Sequence, residues 1–187
     1  MTLKTKWIKL IYNLATSSRK IRNFFTPFGA FFYGLVIFSF IIIALQLDRL
    51  IGISDIFPRL LSLLLASLFF LVAFILIGWS VLVFFRSKGT PVPINPPPRL
   101  VTTGPYAYVR NPMLTGVFAL LFGIGVLLGS ASLLVLFTPL FILINVWELK
   151  AIEEPELLKR LGQDYIEYRK STPMFFPSFG KIFKRRI

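Results

Sequence analysis

Two polar segments in an otherwise apolar chain hold the residue types that could do chemistry. The first, GPYAYVRNPM at residues 104–113, brings Tyr106, Tyr108, Arg110 and Asn111 together just before a long hydrophobic run. Aromatic faces, a cation and the N-terminus of a helix suit an anionic group attached to a flat ring. The second, NVWELKAIEEPELLKRLGQDYIEYRKSTP at 145–173, gathers Glu148, Glu153, Glu154 and Glu156 where a hydrophobic run ends. These carboxylates suit a cationic centre. Lys150 and Glu154 are four residues apart, a spacing that pairs them on one helix face. Pro155 disfavours helical backbone at Glu154, so a bend is expected there. Taken singly, Asn111 reads as a helix cap, Arg110 as an interfacial cation and the tyrosines as an aromatic belt.

The chain has 187 residues, 56% of them hydrophobic, with 21 Phe, no Cys and no His. That composition belongs to a bilayer. Without Cys or His, disulfides, thiolate nucleophiles and a histidine general base are excluded, and no metal site is expected. The net charge of +13 is distributed by topology. Six Lys and Arg precede residue 28, four lie between 86 and 110, and nine from Lys150 onward. Arg49 and Arg59 are the remaining two, in a segment that also carries Asp48 and Asp55. This alternation follows the positive-inside rule and argues against nucleic acid as the partner.

Four crossings are expected: Phe28 to Leu47, about Leu60 to Phe85, Pro112 to Leu128, and about Leu133 to Trp147. The termini and the 86–111 loop then lie in the cytoplasm, with 48–59 and 129–132 outside; in a bacterium the membrane is the inner one. Leu3, Trp7, Leu10, Ile11, Leu14 and Ala15 recur at helical spacing opposite Lys6, Lys9, Asn13 and Thr16, which predicts an interfacial helix serving as an anchor. Gly116, Gly123, Gly125 and Gly129 predict close helix packing, Gly125 and Gly129 with GxxxG spacing. Asn145 is expected to make an interhelical hydrogen bond. Six prolines between 91 and 105 predict a stiff, extended loop, and Pro112 suits a first helical turn with Asn111 at the N-cap. The expected architecture is all-α and membrane-integral. It divides into an amphipathic segment (1–27), two transmembrane helices (28–88), and a core of loop, hairpin and cytoplasmic C-terminal helix (89–187).

LVTTGPYAYVRNPM, the hairpin, EEPELLKRLGQDYIEY and TPMFFP resemble, in order and spacing, the isoprenylcysteine carboxyl methyltransferase and phospholipid methyltransferase superfamily. That pattern runs L-V-T-x-G-x-Y-x-[YW]-x-R-H-P-x-Y, two spans, E-E, L-x-x-x-[FL]-G-x-x-Y-x-x-Y and V-P-x-x-x-P, and covers about residues 98–177. The resemblance implies S-adenosylmethionine as cofactor and a lipid or other lipophilic methyl acceptor. It further implies that Leu100, Val101 and Tyr106 line the cofactor loop and that Arg110, Asn111, Pro112 and Met113 form the helix entry. Glu153 and Glu154 match the acidic pair, and Lys150 is a candidate substrate contact. Arg110 and Glu154 are the candidate catalytic residues. Three positions depart from the pattern: Asn111 stands for His, Leu114 for Tyr and Met174 for Arg. An amide neither titrates nor carries charge, so no imidazole chemistry is available at 111. Those departures keep open a second reading, a non-catalytic adaptor or lipid-binding protein on the same fold. A channel is disfavoured because no span carries a ring of charged or hydroxyl residues.

Overall fold

A computed structural model describes residues 2–53 and 56–177. Asp55 and the last ten residues of the expected 89–187 core lie outside the described residues. Among the described residues the chain is helical, with no strand. The elements are α1 (Leu3–Ala15), α2 (Arg19–Ile51), α3 (Arg59–Arg86), a 3-10 turn (Gly104–Ala107), α4 (Pro112–Leu127), α5 (Thr138–Glu148), α6 (Glu154–Leu161) and α7 (Gln163–Ser171).

Three helical stretches are long and apolar enough to cross a membrane: Arg19–Ile51, Arg59–Arg86 and Leu133–Leu161. The expected third crossing, α4, has 16 residues, about 24 Å against roughly 30 Å of hydrocarbon. α3 and α4 are packed by small residues. α3 buries Ser62, Ala66, Ala73 and Ser80. On α4, a Cβ at Gly116 would fall 2.8 Å from the Ile77 side chain, and one at Gly123 2.7 Å from the Phe70 ring. These two glycines let the backbones approach. The Gly125–Gly129 spacing has a different origin: Gly125 meets Leu134, and Gly129 (φ 64°) ends the helix. Ser130 N–H donates to the Gly125 carbonyl at 2.9 Å and Gly129 N–H to Val126 at 3.3 Å, a Schellman closure.

At the turn after α4, Asp48 at the end of α2 is buried and satisfied. Its carboxylate accepts from the Ser130 hydroxyl and, at 2.9 Å, from the Ser132 N–H. Deeper in, the Tyr33 hydroxyl donates to Asn145 Oδ1 at 3.2 Å, the expected interhelical bond.

The path from Leu133 to Leu161 contains two π turns, Leu133–Phe137 and Leu149–Glu153. The second residue after each is a proline, Pro139 and Pro155, in the first turn of the next α segment. Proline lacks an N–H and crowds the carbonyl four residues back; a widened turn removes that conflict without breaking the helix. The non-helical backbone expected at Glu154 is therefore absent: Glu154 is helical (φ −59°, ψ −42°).

α1 is packed on the rest of the chain. Lys159 Nζ sits 3.9 Å from the centre of the Tyr12 ring, so α1 rests on α6. The proline-rich loop is tied down by Asn95, which is buried and donates to Asn23 Oδ1 (3.1 Å) and Thr26 Oγ1 (3.0 Å) of α2.

Candidate functional site

The helix entry at residues 110–113 is held from behind by the extended segment after α7. Arg110 N–H donates to the Pro173 carbonyl at 2.8 Å and Asn111 N–H to that of Met174 at 3.1 Å. Phe175 packs its ring on Phe118, centroids 5.5 Å apart. Asn111 occupies the N-cap position of α4, but its side chain does not cap. The amide is turned toward the Met174 carbonyl, 3.5 Å away, while the Asn111 carbonyl accepts from Thr115 N–H and Oγ1. Pro112 is buried at the first position of α4 and Met113 half-buried beside it.

Arg110 is the hub. Its Nη1 donates to Glu154 Oε1 at 2.6 Å and to the Tyr165 hydroxyl at 3.1 Å. Both side chains of the ion pair are nearly buried, 11% and 12% exposed, so solvent screens the pair weakly. Arg169, more exposed, reaches Glu154 Oε2 at 3.4 Å. The Tyr168 hydroxyl donates to the Tyr106 carbonyl at 2.7 Å. Tyr106 itself is buried edge-on against Phe84, with ring centroids 5.1 Å apart. Its turn sits close to α3 because Gly104 (φ 60°) has no side chain; a Cβ there would lie 2.9 Å from Trp79 Nε1.

Burial pushes the Tyr165 phenol up to about 12, with Glu154 adding to the effect. Burial also raises the Tyr106 and Tyr168 phenols. All three stay protonated at neutral pH, which removes tyrosinate as a base. Glu153 is half-buried in the Leu149–Glu153 π turn, close enough for its charge to contribute at Tyr106 and Tyr165.

Arg110, Glu154 and Tyr106 thus join one cluster, with Glu153 at its edge. Other expectations come out differently. Lys150 is exposed, and Glu154 takes Arg110 and Arg169 as partners in its place. The π turn between them removes the i,i+4 register on which that pairing depends. Leu100 and Val101 line a cavity of about 230 Å³ with Ser87, Arg99 and Thr103, sharing no residue with the Arg110–Glu154 cluster. Tyr108 is exposed. The sequence alone gives no role to Tyr165, Tyr168, Arg169 or the carbonyls of Pro173 and Met174. The i,i+3 spacing of Tyr165 and Tyr168 was the available signal, since it sets both on one helix face. Another is the buried Glu156–Arg160 pair, 2.8 Å, at i,i+4 in α6.

The arrangement has the parts that S-adenosylmethionine needs at its charged ends. Arg110 Nε is buried with no hydrogen-bond partner among the described residues, a spare donor for a carboxylate. Glu153 and Glu154 offer acceptors for an ammonium or a sulfonium.

Over 78 residues the chain is 33% identical to the nickel-cobalt-cadmium resistance protein NccN of Alcaligenes xylosoxydans xylosoxydans, covering 42% of this chain and 36% of that one. Over 82 residues it is 38% identical to the protein-S-isoprenylcysteine O-methyltransferase of Schizosaccharomyces pombe, covering 42% of this chain and 33% of that one. The chain spans about a third of the length of these curated relatives. The phospholipid methyltransferase family model matches residues 61–164, more than half of the chain, from α3 through the loop and hairpin into α7. On that match, the chain is a member of the phospholipid methyltransferase family.

Proposed function

We propose that the protein transfers a methyl group from S-adenosylmethionine to a lipophilic acceptor that enters from the bilayer. The reading includes four crossings, α4 being the short one, with both termini and the 86–111 loop in the cytoplasm. Its catalytic core is the segment from residue 89 onward. The observation that carries it is the Arg110–Glu154 pair, which links the two polar motifs across 44 residues in a nearly buried setting.

When bound, the cofactor supplies a methyl on a sulfonium with a neutral thioether as leaving group. Arg110 holds the carboxylate end, through the Nε–H that lacks a partner among the described residues. Glu153 and Glu154 hold the cationic end. Tyr106, Asn111, Pro112 and Met113 complete the lining at that end, Leu100 and Val101 line the cofactor from the separate cavity of the loop, and Lys150, exposed on the π turn, is the substrate contact. Holding donor and acceptor in line supplies up to roughly 7–11 kcal/mol of the acceleration. With no His and with protonated tyrosines, proton removal from an amine or hydroxyl acceptor falls to Glu153, Glu154 or water. A carboxylate acceptor needs no base.

Calorimetry with S-adenosylmethionine on purified protein tests the reading. Saturable binding is expected in wild type and a loss of roughly tenfold or more in Arg110→Ala and Glu154→Ala; absent binding, or unchanged binding in both variants, overturns it. The adaptor reading is favoured by one observation, that Arg110 and Asn111 both have internal partners. It requires that no label passes from methyl-tritiated cofactor into any component of a total lipid extract.

A further inference from the structure

α1 carries two apolar stripes. Ile8, Ile11, Tyr12 and Ala15 follow i, i+3, i+4, i+7 spacing and are half-buried or buried, with Tyr12 under Lys159 of α6. Leu3, Trp7 and Leu10 lie on a neighbouring stripe and are 73%, 49% and 48% exposed. Lys4, Lys6 and Lys9 are exposed, and helical spacing sets Lys4 and Lys6 at the borders of that second stripe. Residues 1–27 hold six Lys and Arg and no acid. Only Thr16–Ser18 separate α1 from α2, so the helix is tethered at the end of a membrane crossing. An exposed apolar stripe flanked by lysines and held at a bilayer surface is complementary to anionic lipid.

We infer that α1 is an anionic-lipid sensor: its Leu3–Trp7–Leu10 stripe and lysines engage a negatively charged bilayer surface, and its Tyr12 face passes that engagement to α6. The receiving end is α6 itself. Tyr12 holds Lys159 by a cation–π contact. Lys159 is followed by Arg160, which pairs with the buried Glu156, and α6 opens with Glu154. Seating α1 on lipid therefore fixes the helix that carries Glu154. With α1 unseated, α6 loses one of its packing partners and opens more often. Regulation of this kind by the membrane is separate from methyl transfer itself.

Because the chain has no Cys, a single Leu10→Cys carrying an environment-sensitive fluorophore reports on the outer stripe of the full-length protein. Hydrogen exchange over residues 149–161 reports on α6. In nanodiscs, replacing a quarter or so of phosphatidylcholine with phosphatidylglycerol is expected to shift the label to the blue and slow exchange in 149–161 by roughly fivefold, the weight of one lysine at such a surface. Replacing Lys4, Lys6 and Lys9 by Gln abolishes both responses. Tyr12→Leu keeps the label response and loses the exchange response, while Tyr12→Phe, which retains the ring, keeps both. Identical label emission in the two lipids, or a full response in the lysine variant, overturns the sensor. An exchange response that survives Tyr12→Leu overturns its transmission to α6. None of these readouts requires methyl transfer, so they stand or fall separately from the proposed activity.

Discussion

At the scale of residues, the Arg110–Glu154 pair sets up a test that separates holding the protein together from holding a ligand. Removing one partner leaves a nearly buried charge, so Glu154→Ala is expected to destabilise by roughly 3–5 kcal/mol. The double substitution Arg110→Met/Glu154→Leu removes both charges and recovers most of that loss, as thermal unfolding in detergent would show. Cofactor binding, by contrast, is lost in the single and the double variant alike. A double variant as unstable as the single would mean that the pair's value lies in its hydrogen bonds to Tyr165 and Arg169. Arg110 and Glu154 were legible through the order and spacing of the motifs that carry them, since taken singly an interfacial cation and a solvated carboxylate are the commoner uses of such residues beside hydrophobic runs. Tyr165 was not legible as their partner, since its position depends on α7 folding back after Gly162. Nor did residue types alone show that the Asn111 amide would serve the C-terminal segment instead of its own helix.

Among the elements, the small-residue seam between α3 and α4 is the tightest constraint. Gly116→Val places side-chain atoms against Ile77 and the Ala73 carbonyl and is expected to cost roughly 1–3 kcal/mol. Gly34→Ala, in a helix with open space around it, is expected to gain about 0.5–1 kcal/mol. Unfolding of both variants by detergent titration checks the contrast; equal effects would mean the seam is not a packing limit. α2 and α3 were readable as uninterrupted apolar runs, although the helices extend past the runs to Arg19–Ile51 and Arg59–Arg86. Polar ends such as Arg19–Asn23 and Asp48–Arg49 keep helical backbone because hydrogen bonding, not hydropathy, decides where a helix stops. The π turns were invisible for a related reason. Local rules disfavour helical backbone before Pro155, whereas the helix continues through Glu154 because one wider turn accommodates the proline.

For the whole molecule, topology is the property that arranges everything else, and the absence of Cys makes it measurable. Single cysteines at exposed Thr16, Ile53 and Gln163 would be challenged with a membrane-impermeant maleimide in intact cells and in inverted vesicles. Four crossings with cytoplasmic termini require Ile53→Cys to react from outside, and Thr16→Cys and Gln163→Cys only from the cytoplasmic side. Labelling of Gln163→Cys from outside would replace four crossings by three. The same architecture has a consequence for synthesis. The carboxylate of Asp48 finds Ser130 only 82 residues later. At a ribosomal pace of about 5–20 residues per second, α2 waits roughly 4–16 s with an acid at its end and no partner for it. During that interval α2 lacks the turn that satisfies Asp48, so a membrane chaperone or the translocon itself has a window in which to act. Stalling the ribosome before residue 130 would trap the chain in the state that quality control has to recognise.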